Sequence, residues 1–277
     1  MRPSFAHGPS PMIVGVIKQY TVIDAIAEIK NGEANGARGF DLHLDALKPE
    51  FRNVESISRI INCTDKPILA LNYNKEYNGV KPMSEEERLA LLMTAVDAGT
   101  SAVDMQNYSF DPEAKEAFVD EAYIPQSLSF LSEKKPKEVA LKPEILEKQK
   151  RFIDEVHSKG AEVLISMHFG VHLSTQQLAA LARFAHDKGA DVVKMVTPCA
   201  SDEELAEVLS SIVLLKKELD FPFSYHAGGK KGIPSRKIGP MVGSHIMFCN
   251  VNYGPHSDFS QLHLGNMVEA YRKMEII

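Results

Sequence analysis

Short apolar runs rich in Val, Ile and Leu alternate along this chain with longer stretches whose apolar residues recur at helical spacing. The short runs predict buried strands, and the longer stretches predict amphipathic helices. The predicted strands are residues 12–17, 39–45, 67–72, 101–106, 161–169, 191–196, 221–226 and 244–249. Helical patterns open at Thr21, at about residue 53, at Ser84, and after Ser174, Ser201 and Asp258.

Eight strands, each followed by a helix or a helical turn, predict an α/β fold of the closed parallel (β/α)₈ type, a TIM barrel, in a single domain over residues 1–277. The rival architecture is a doubly wound open sheet, which normally has a Gly-rich phosphate turn after its first strand. The sequence VIKQYT at 16–21 has no such turn. Residues 107–145 form an insertion after strand 4, predicted to be partly helical at 112–123. We expect it to cover the active site or to contact a second subunit, with a plain surface insertion as the alternative.

Composition excludes several classes of function. The formal net charge of −6 gives no basic field for nucleic acid. No apolar run approaches the ~20 residues that span a bilayer, and the N-terminus lacks the apolar segment of a signal peptide. The three cysteines are widely spaced, with no Cys-x-x-Cys pair. We therefore expect a cytoplasmic protein, without nucleic-acid or membrane partners, disulfide framework or structural zinc.

Polar residues at the predicted strand ends are the candidates for chemistry, because the active site of such a barrel lies at the carboxyl ends of its strands. Lys194 lies in the strand sequence GADVVKMV, where burial of its amine would favour the neutral form that attacks a carbonyl. The alternative is a lysine whose stem crosses the barrel wall and whose head reaches water. The other strand-end candidates are Asp41, His43, Asp45, Asn72, Tyr73, Asp104, Gln106, His168 and His226.

His168 ends the strand before Lys194 and has the side chain best suited to proton transfer near neutral pH. Taken alone, a histidine at such a position is more often a hydrogen-bonded core residue, but His168 and Lys194 on adjacent strands reinforce each other. Arg236 follows the seventh strand, in a segment predicted to be a loop, and its planar fork suits a substrate carboxylate. Ser257 and Gln261 follow the eighth strand and are either site residues or the start of the last helix.

These motifs, in this order, resemble the type I 3-dehydroquinate dehydratases, which act through a lysine Schiff base. The most specific part is the pair AEVLISMHF and GADVVKMV. The resemblance implies that Lys194 forms the Schiff base, that His168 is the general acid–base and that Arg236 binds the carboxylate. It also implies that Ser257 and Gln261 contact the substrate from a lid, and that no cofactor is needed.

The second and third strands depart from the family pattern. Where the family has Glu-x-Arg, this chain has Asp41-Leu42-His43. Tyr73 stands where a third-strand arginine would fall, the acidic residue that follows is either Glu76 or lost, and Gln106 replaces a carboxylate on the fourth strand. We therefore expect a rebuilt recognition surface, with substrate contacts from Asp41, His43, Asn72, Gln106 and His226.

The predicted activity is dehydration of a cyclic β-hydroxy keto acid, 3-dehydroquinate or a close analogue, by a homodimeric hydro-lyase. Two alternatives remain open. The first is a metal-dependent sugar isomerase or epimerase that uses the Asp and His residues at the strand ends, and the second is a barrel that binds a carboxylate without catalysis.

Overall fold

The structure, a computed structural model, describes residues 3–77 and 79–277. Within these residues the chain forms nine strands. Their bounds are β1 Met12–Ile17, β2 Gly39–His43, β3 Ile68–Leu71, β4 Ala102–Gln106, β5 Glu162–His168, β6 Val192–Pro198, β7 Phe223–Gly228, β8 Ile246–Asn250 and β9 Leu262–His263. The first eight confirm the eight predicted strands, with ends that differ by a few residues. The chain is an α/β protein.

The described residues also form nine α-helices. Their bounds are α1 Val22–Ala34, α2 Val54–Ile61, α3 Glu85–Asp97, α4 Leu131–Lys134, α5 Pro143–Ser158, α6 Thr175–Asp187, α7 Asp202–Glu218, α8 Gly229–Val242 and α9 Leu264–Lys273. None of the helices in the ranges described is long and apolar enough to cross a membrane.

Helix starts follow the predicted capping residues. Thr21 caps α1 through its side chain, and Ser84 and Ser174 each form a complete capping box at α3 and α6. Ser201 caps α7 by accepting a hydrogen bond from the N–H of Glu204. These side chains satisfy backbone N–H groups that have no partner in the first helical turn, so the chain enters each helix at a defined residue.

Contacts divide the chain into two compact units. The first contains the residues as far as Asp104, with Val156–Glu162 and Ile246–Ile277, and its strand order is β4-β3-β2-β1-β8-β9. The second contains Met105–Glu155 and Val163–His245, and its strand order is β5-β6-β7. The strand pairs within each unit are parallel. The residues of β1 to β4 and β8 are all buried, as expected for strands covered by helices.

The segment between β4 and α5 differs from its prediction. Instead of a helix at 112–123 it has short 3₁₀ turns at Pro112–Lys115, Glu121–Tyr123 and Gln126–Leu128. Polar contacts from within the segment impose these turns: Lys142 Nζ lies 3.2 Å from an Asp111 carboxylate oxygen and 3.7 Å from one of Asp120. Asp120 also accepts a hydrogen bond from the N–H of Leu141.

Two further predictions about helices are wrong. The last helix does not open after Asp258, because the short strand β9 intervenes and α9 begins only at Leu264. The segment after β7 that contains Arg236, predicted to be a loop, is the helix α8, although it has three Gly and two Pro. Its small residues allow a close approach to β7: a Cβ on Gly232 would lie 2.5 Å from the carbonyl oxygen of Ala227. Packing therefore overrides the local preference of Gly and Pro.

Candidate functional site

Lys194 lies in the middle of β6 and is only 6% exposed. Its register partners are Ser166 on β5 and Ser224 on β7. Register partners in a parallel sheet point to the same face, so two small serines flank the lysine stem. Both serines are fully buried. The lysine therefore lies in a buried strand with a small side chain on each side of it.

His168 and His226 lie on the same face as Lys194, one alternation closer to the carboxyl ends of their strands. His168 is two residues beyond Ser166, and His226 is two residues beyond Ser224. Two residues of strand correspond to roughly 6.6 Å along the chain. A long lysine side chain can cover this distance, so the predicted amine and proton-transfer groups share one face of the second unit.

Three other predicted residues lie close enough to His226 to act on its charge. Burial is the largest cause that holds the pKa of His226 well below its usual value, and the positive charges of Arg236, Lys194 and His168 lower it further. These three side chains therefore lie within electrostatic range of the His226 ring. In a chain with a net charge of −6, this local concentration of positive charge suits an anionic ligand.

Arg236 belongs to α8 and not to a loop, which corrects the sequence prediction. The preceding residue, Ser235, ties this part of the helix to β7. Its hydroxyl accepts a hydrogen bond from the N–H of Ala227 at 2.9 Å and donates one to the carbonyl of Gly232 at 2.6 Å. The arginine is thus carried on a packed helix next to the end of β7, where His226 lies.

Glu138 is the functional candidate that the sequence prediction missed. It lies between β4 and α5, and its carboxylate Oε2 is 2.9 Å from His168 Nδ1 and 2.7 Å from the His168 backbone nitrogen. Glu76, considered as the acidic residue that the family pattern has after the third strand, is exposed. Gln106, another predicted residue of the second unit, is fully buried at the end of β4.

Asp41 and His43 lie on β2 in the first unit, together with Asp45 in the turn that follows. His43 Nε2 is 3.7 Å from Asp41 Oδ2, and His43 Nδ1 is 3.8 Å from Asp45 Oδ1. All three side chains are at most 5% exposed. The ring of Tyr73 meets the His43 ring edge-on, with 6.0 Å between their centroids. Asp41 and His43 therefore form a buried polar cluster with Asp45.

Asn72 follows β3 in the first unit, and local contacts use its side chain. Its Oδ1 accepts a hydrogen bond from the N–H of Asn74 at 2.8 Å, and its Nδ2 lies 3.8 Å from the sulfur of Met83. The guanidinium of the fully buried Arg88 donates to the Asn72 carbonyl at 3.3 Å. These bonds fix the chain where it leaves β3.

Ser257 and Gln261 lie in the turns between β8 and β9, also in the first unit. Ser257 Oγ accepts a hydrogen bond from the N–H of Gly254 at 2.9 Å, and the carbonyl of Gln261 accepts one from Asn250 Nδ2 at 2.9 Å. Ser257 also lines a cavity of about 110 Å³ that Lys18 and His256 line as well. Burial is the main cause that lowers the pKa of Lys18. Neither predicted residue belongs to a helix.

A metal-dependent reaction would need several Asp or His side chains arranged around one ion. In the described part of the chain, no group of three or more His, Cys, Asp or Glu side chains is arranged to hold a metal ion. Asp41 and His43 belong to the first unit, and His168 and His226 to the second.

A model of the type I 3-dehydroquinase family matches residues 15–277. The chain belongs to this family. The resemblance predicted from the sequence motifs is thereby confirmed. The match begins inside β1 and continues to the last residue, so it includes every candidate residue named above.

Among the relatives of this type I 3-dehydroquinase is a 3-dehydroquinate dehydratase from Dehalococcoides mccartyi strain 195. It is 26% identical over 243 residues, which are 87% of this chain and 88% of the relative. A solved 3-dehydroquinate dehydratase from Geobacillus kaustophilus superposes with a TM-score of 0.73 at 17% identity, over 98% of this chain and 93% of the other. A type I enzyme from Clostridium difficile gives a TM-score of 0.71 at 16% identity, over 97% and 94%.

Proposed function

We propose that this type I 3-dehydroquinase is a hydro-lyase that dehydrates 3-dehydroquinate, or a close analogue, through a Schiff base on Lys194. The observation that carries the proposal is the shared face of β5, β6 and β7, where Lys194, His168 and His226 lie with Arg236 in electrostatic range. An amine, a proton-transfer group and a carboxylate-binding cation are the groups that such a reaction requires.

The first step is capture of the substrate ketone. The Lys194 amine attacks the carbonyl carbon, and the resulting carbinolamine loses water to give a protonated iminium. The residues that flank the lysine on the neighbouring strands, Ser166 and Ser224, are small, which favours access to the amine within the buried strand layer. The iminium withdraws electrons from the adjacent carbon and makes its proton acidic.

His168 then moves protons. Its ring removes the proton next to the iminium to give an enamine, and afterwards gives a proton to the β-hydroxyl as water leaves. The conjugated iminium that remains is hydrolysed to release an enone and the free Lys194 amine. Substrate thus becomes enone plus one water. A positioned acid–base group contributes roughly 10²–10⁴-fold to such a reaction.

The carboxylate of the keto acid is assigned to Arg236. Its guanidinium offers two parallel donors to two oxygens, and the packed helix α8 limits its position. We assign His226, which is held neutral by burial and by its cationic neighbours, and Gln106 to hydrogen bonds with the substrate. The roles of Asp41, His43, Asn72, Ser257 and Gln261 as substrate contacts are also part of the proposal.

The finer architectural predictions belong to the same proposal. We propose one closed (β/α)₈ barrel domain with residues 107–145 as an insertion after β4, since eight strands occur in the predicted sequence positions. We also propose a cytoplasmic homodimer that acts on a small keto acid.

The test is a continuous assay of enone absorbance with the purified protein and 3-dehydroquinate. Wild type should form the enone, Lys194→Met should not, and Lys150→Met should match wild type, because Lys150 is an exposed partner of Asp154. Turnover by Lys194→Met at the wild-type rate would refute the Schiff-base assignment.

A further inference from the structure

The segment between β4 and α5 delivers a buried carboxylate to the proposed acid–base residue. Glu138 is 7% exposed, and its Oε2 accepts from the His168 backbone N–H at 2.7 Å and lies 2.9 Å from His168 Nδ1. The two residues are thirty positions apart in the sequence and lie on different elements. One carboxylate oxygen thus holds both the strand end and the imidazole ring.

This arrangement fixes the tautomer of the histidine. An ionised carboxylate only accepts hydrogen bonds, so Nδ1 of His168 must carry the proton that it donates to Glu138. In the neutral ring the lone pair then resides on Nε2, the nitrogen on the other side. The His168 side chain is 33% exposed, which leaves the ring accessible to a ligand.

We propose that Glu138 is the positioning residue of His168: it selects the tautomer with a basic Nε2 and orients the ring toward the substrate. The inference rests on the proposed function of His168. The segment after β4 was expected to cover the active site or to contact a second subunit. The inference gives this segment another role, which is to supply the carboxylate that holds His168.

The backbone of Glu138 is held in a conformation that it would not adopt readily alone. Its φ of +60° lies in the left-handed region, which is uncommon for residues other than Gly. Its N–H donates to the carbonyl of Ala114 at 2.6 Å, and its carbonyl accepts from Asn107 Nδ2 at 3.0 Å. The backbone is thus fixed on both sides, and the carboxylate is directed at His168.

Asn107 is itself part of a buried polar network. Its Oδ1 accepts from the Lys188 ammonium, which also donates to Gln149 Oε1 at 2.9 Å. Gln149 Nε2 in turn donates to the Asn107 carbonyl at 2.8 Å, and both amides are fully buried. Two of these three bonds end on Asn107. The network therefore supports the residue that holds the Glu138 carbonyl.

The decisive experiment is a double-mutant cycle of Glu138→Gln with His168→Ala, measured as enone formation. Gln has the same shape but can present either an oxygen or an N–H to Nδ1, so it does not select a tautomer. We expect Glu138→Gln to lower kcat by ~10²-fold with KM within about twofold, since partners that orient a functional histidine typically contribute 10–100-fold. In the His168→Ala background the same change should alter kcat less than twofold. Glu133→Gln, on the exposed face of α4, is the matched control.

A second readout is the ¹H–¹⁵N spectrum of histidine-labelled protein. Wild type should show a protected Nδ1–H resonance that disappears in His168→Gln and in Glu138→Gln. Asn107→Asp replaces the donor to the Glu138 carbonyl with an acceptor, and should weaken the same resonance while retaining a partner for Lys188.

Two results would overturn the positioning role. The first is a Glu138→Gln variant with the kcat of wild type. The second is a Glu138→Gln change that lowers kcat by the same factor in wild type and in His168→Ala. Failure of the proposed function itself looks different: the wild type would form no enone, while the Nδ1–H resonance would still report whether Glu138 holds His168.

Discussion

Lys188, which follows α6, makes the stability of this protein dependent on pH in an unusual direction. Lys188 as a whole is partly exposed, but its ammonium group is enclosed. The partners of this group, Asn107 and Gln149, offer neutral amide oxygens. Burial lowers the pKa of Lys188 from 10.5 to about 7. The folded protein therefore releases this proton at a lower pH than the unfolded chain does.

The sign and size of the effect follow from proton linkage. Between about pH 7 and pH 10 the unfolded chain binds more protons at Lys188, so the free energy of unfolding rises with pH. This gain in unfolding free energy is complete above the pKa that Lys188 has in the unfolded chain. It is lost as the pH falls toward the pKa that Lys188 has in the folded protein. Its slope is at most ~1.4 kcal/mol per pH unit, which over the range between a pKa of about 7 and one of 10.5 gives an upper limit of roughly 5 kcal/mol.

Urea denaturation at pH 7, 8 and 9 measures this effect when wild type is compared with Lys188→Met. The variant lacks the titrating group, so the difference in unfolding free energy between the two proteins should move in favour of wild type by up to ~1.4 kcal/mol per pH unit. Lys150→Met, at an exposed position, should parallel wild type at every pH. Equal pH dependence of wild type and Lys188→Met would refute an enclosed ammonium.

Four other outcomes are expected. His168→Ala should lower kcat by ~10²–10⁴-fold while an adduct still forms, and full activity would reduce His168 to a core residue. Arg236→Met should raise KM for the keto acid by ~10–100-fold in steady-state assays, as expected for loss of a charge-assisted bond, and an unchanged KM would refute the clamp. Gly232→Ala should destabilise by ~1–3 kcal/mol in thermal melts because its Cβ would lie 2.5 Å from the Ala227 carbonyl oxygen, whereas Gly254→Ala, with open space around its Cβ, should change little. The rebuilt ends of β2 and β3 should hold kcat/KM for 3-dehydroquinate below ~10⁴ M⁻¹s⁻¹, and a value in the usual enzyme range would contradict an altered specificity.

The strands and most helix starts could be predicted because their signals are local. A run such as MIVGVI at 12–17 is short, rich in β-branched residues and apolar on both faces, as expected for a strand that is covered on both sides. Ser84 and Ser174 are followed three residues later by Glu87 and Gln177, which complete the capping boxes. In each case the residues that form the structure are neighbours in the sequence.

The features that were missed depend on contacts between distant residues. The segment of α8 has Gly and Pro at positions that locally favour a loop, but Gly232 allows close packing on β7, and Ser235 bonds to it. Glu138 has no periodic pattern around it, and only the fold brings it to His168. Propensity and spacing contain no information on such pairings.

The central claim, covalent catalysis by Lys194, is tested most directly by intact-mass measurement after borohydride reduction in the presence of 3-dehydroquinate. Reduction converts the iminium to a stable secondary amine, so the protein should gain the mass of one bound keto acid. Peptide mapping should place this mass on Lys194, and Lys194→Met should gain none. No mass gain with an actively turning-over wild type, or a persistent adduct on another lysine in Lys194→Met, would contradict the account.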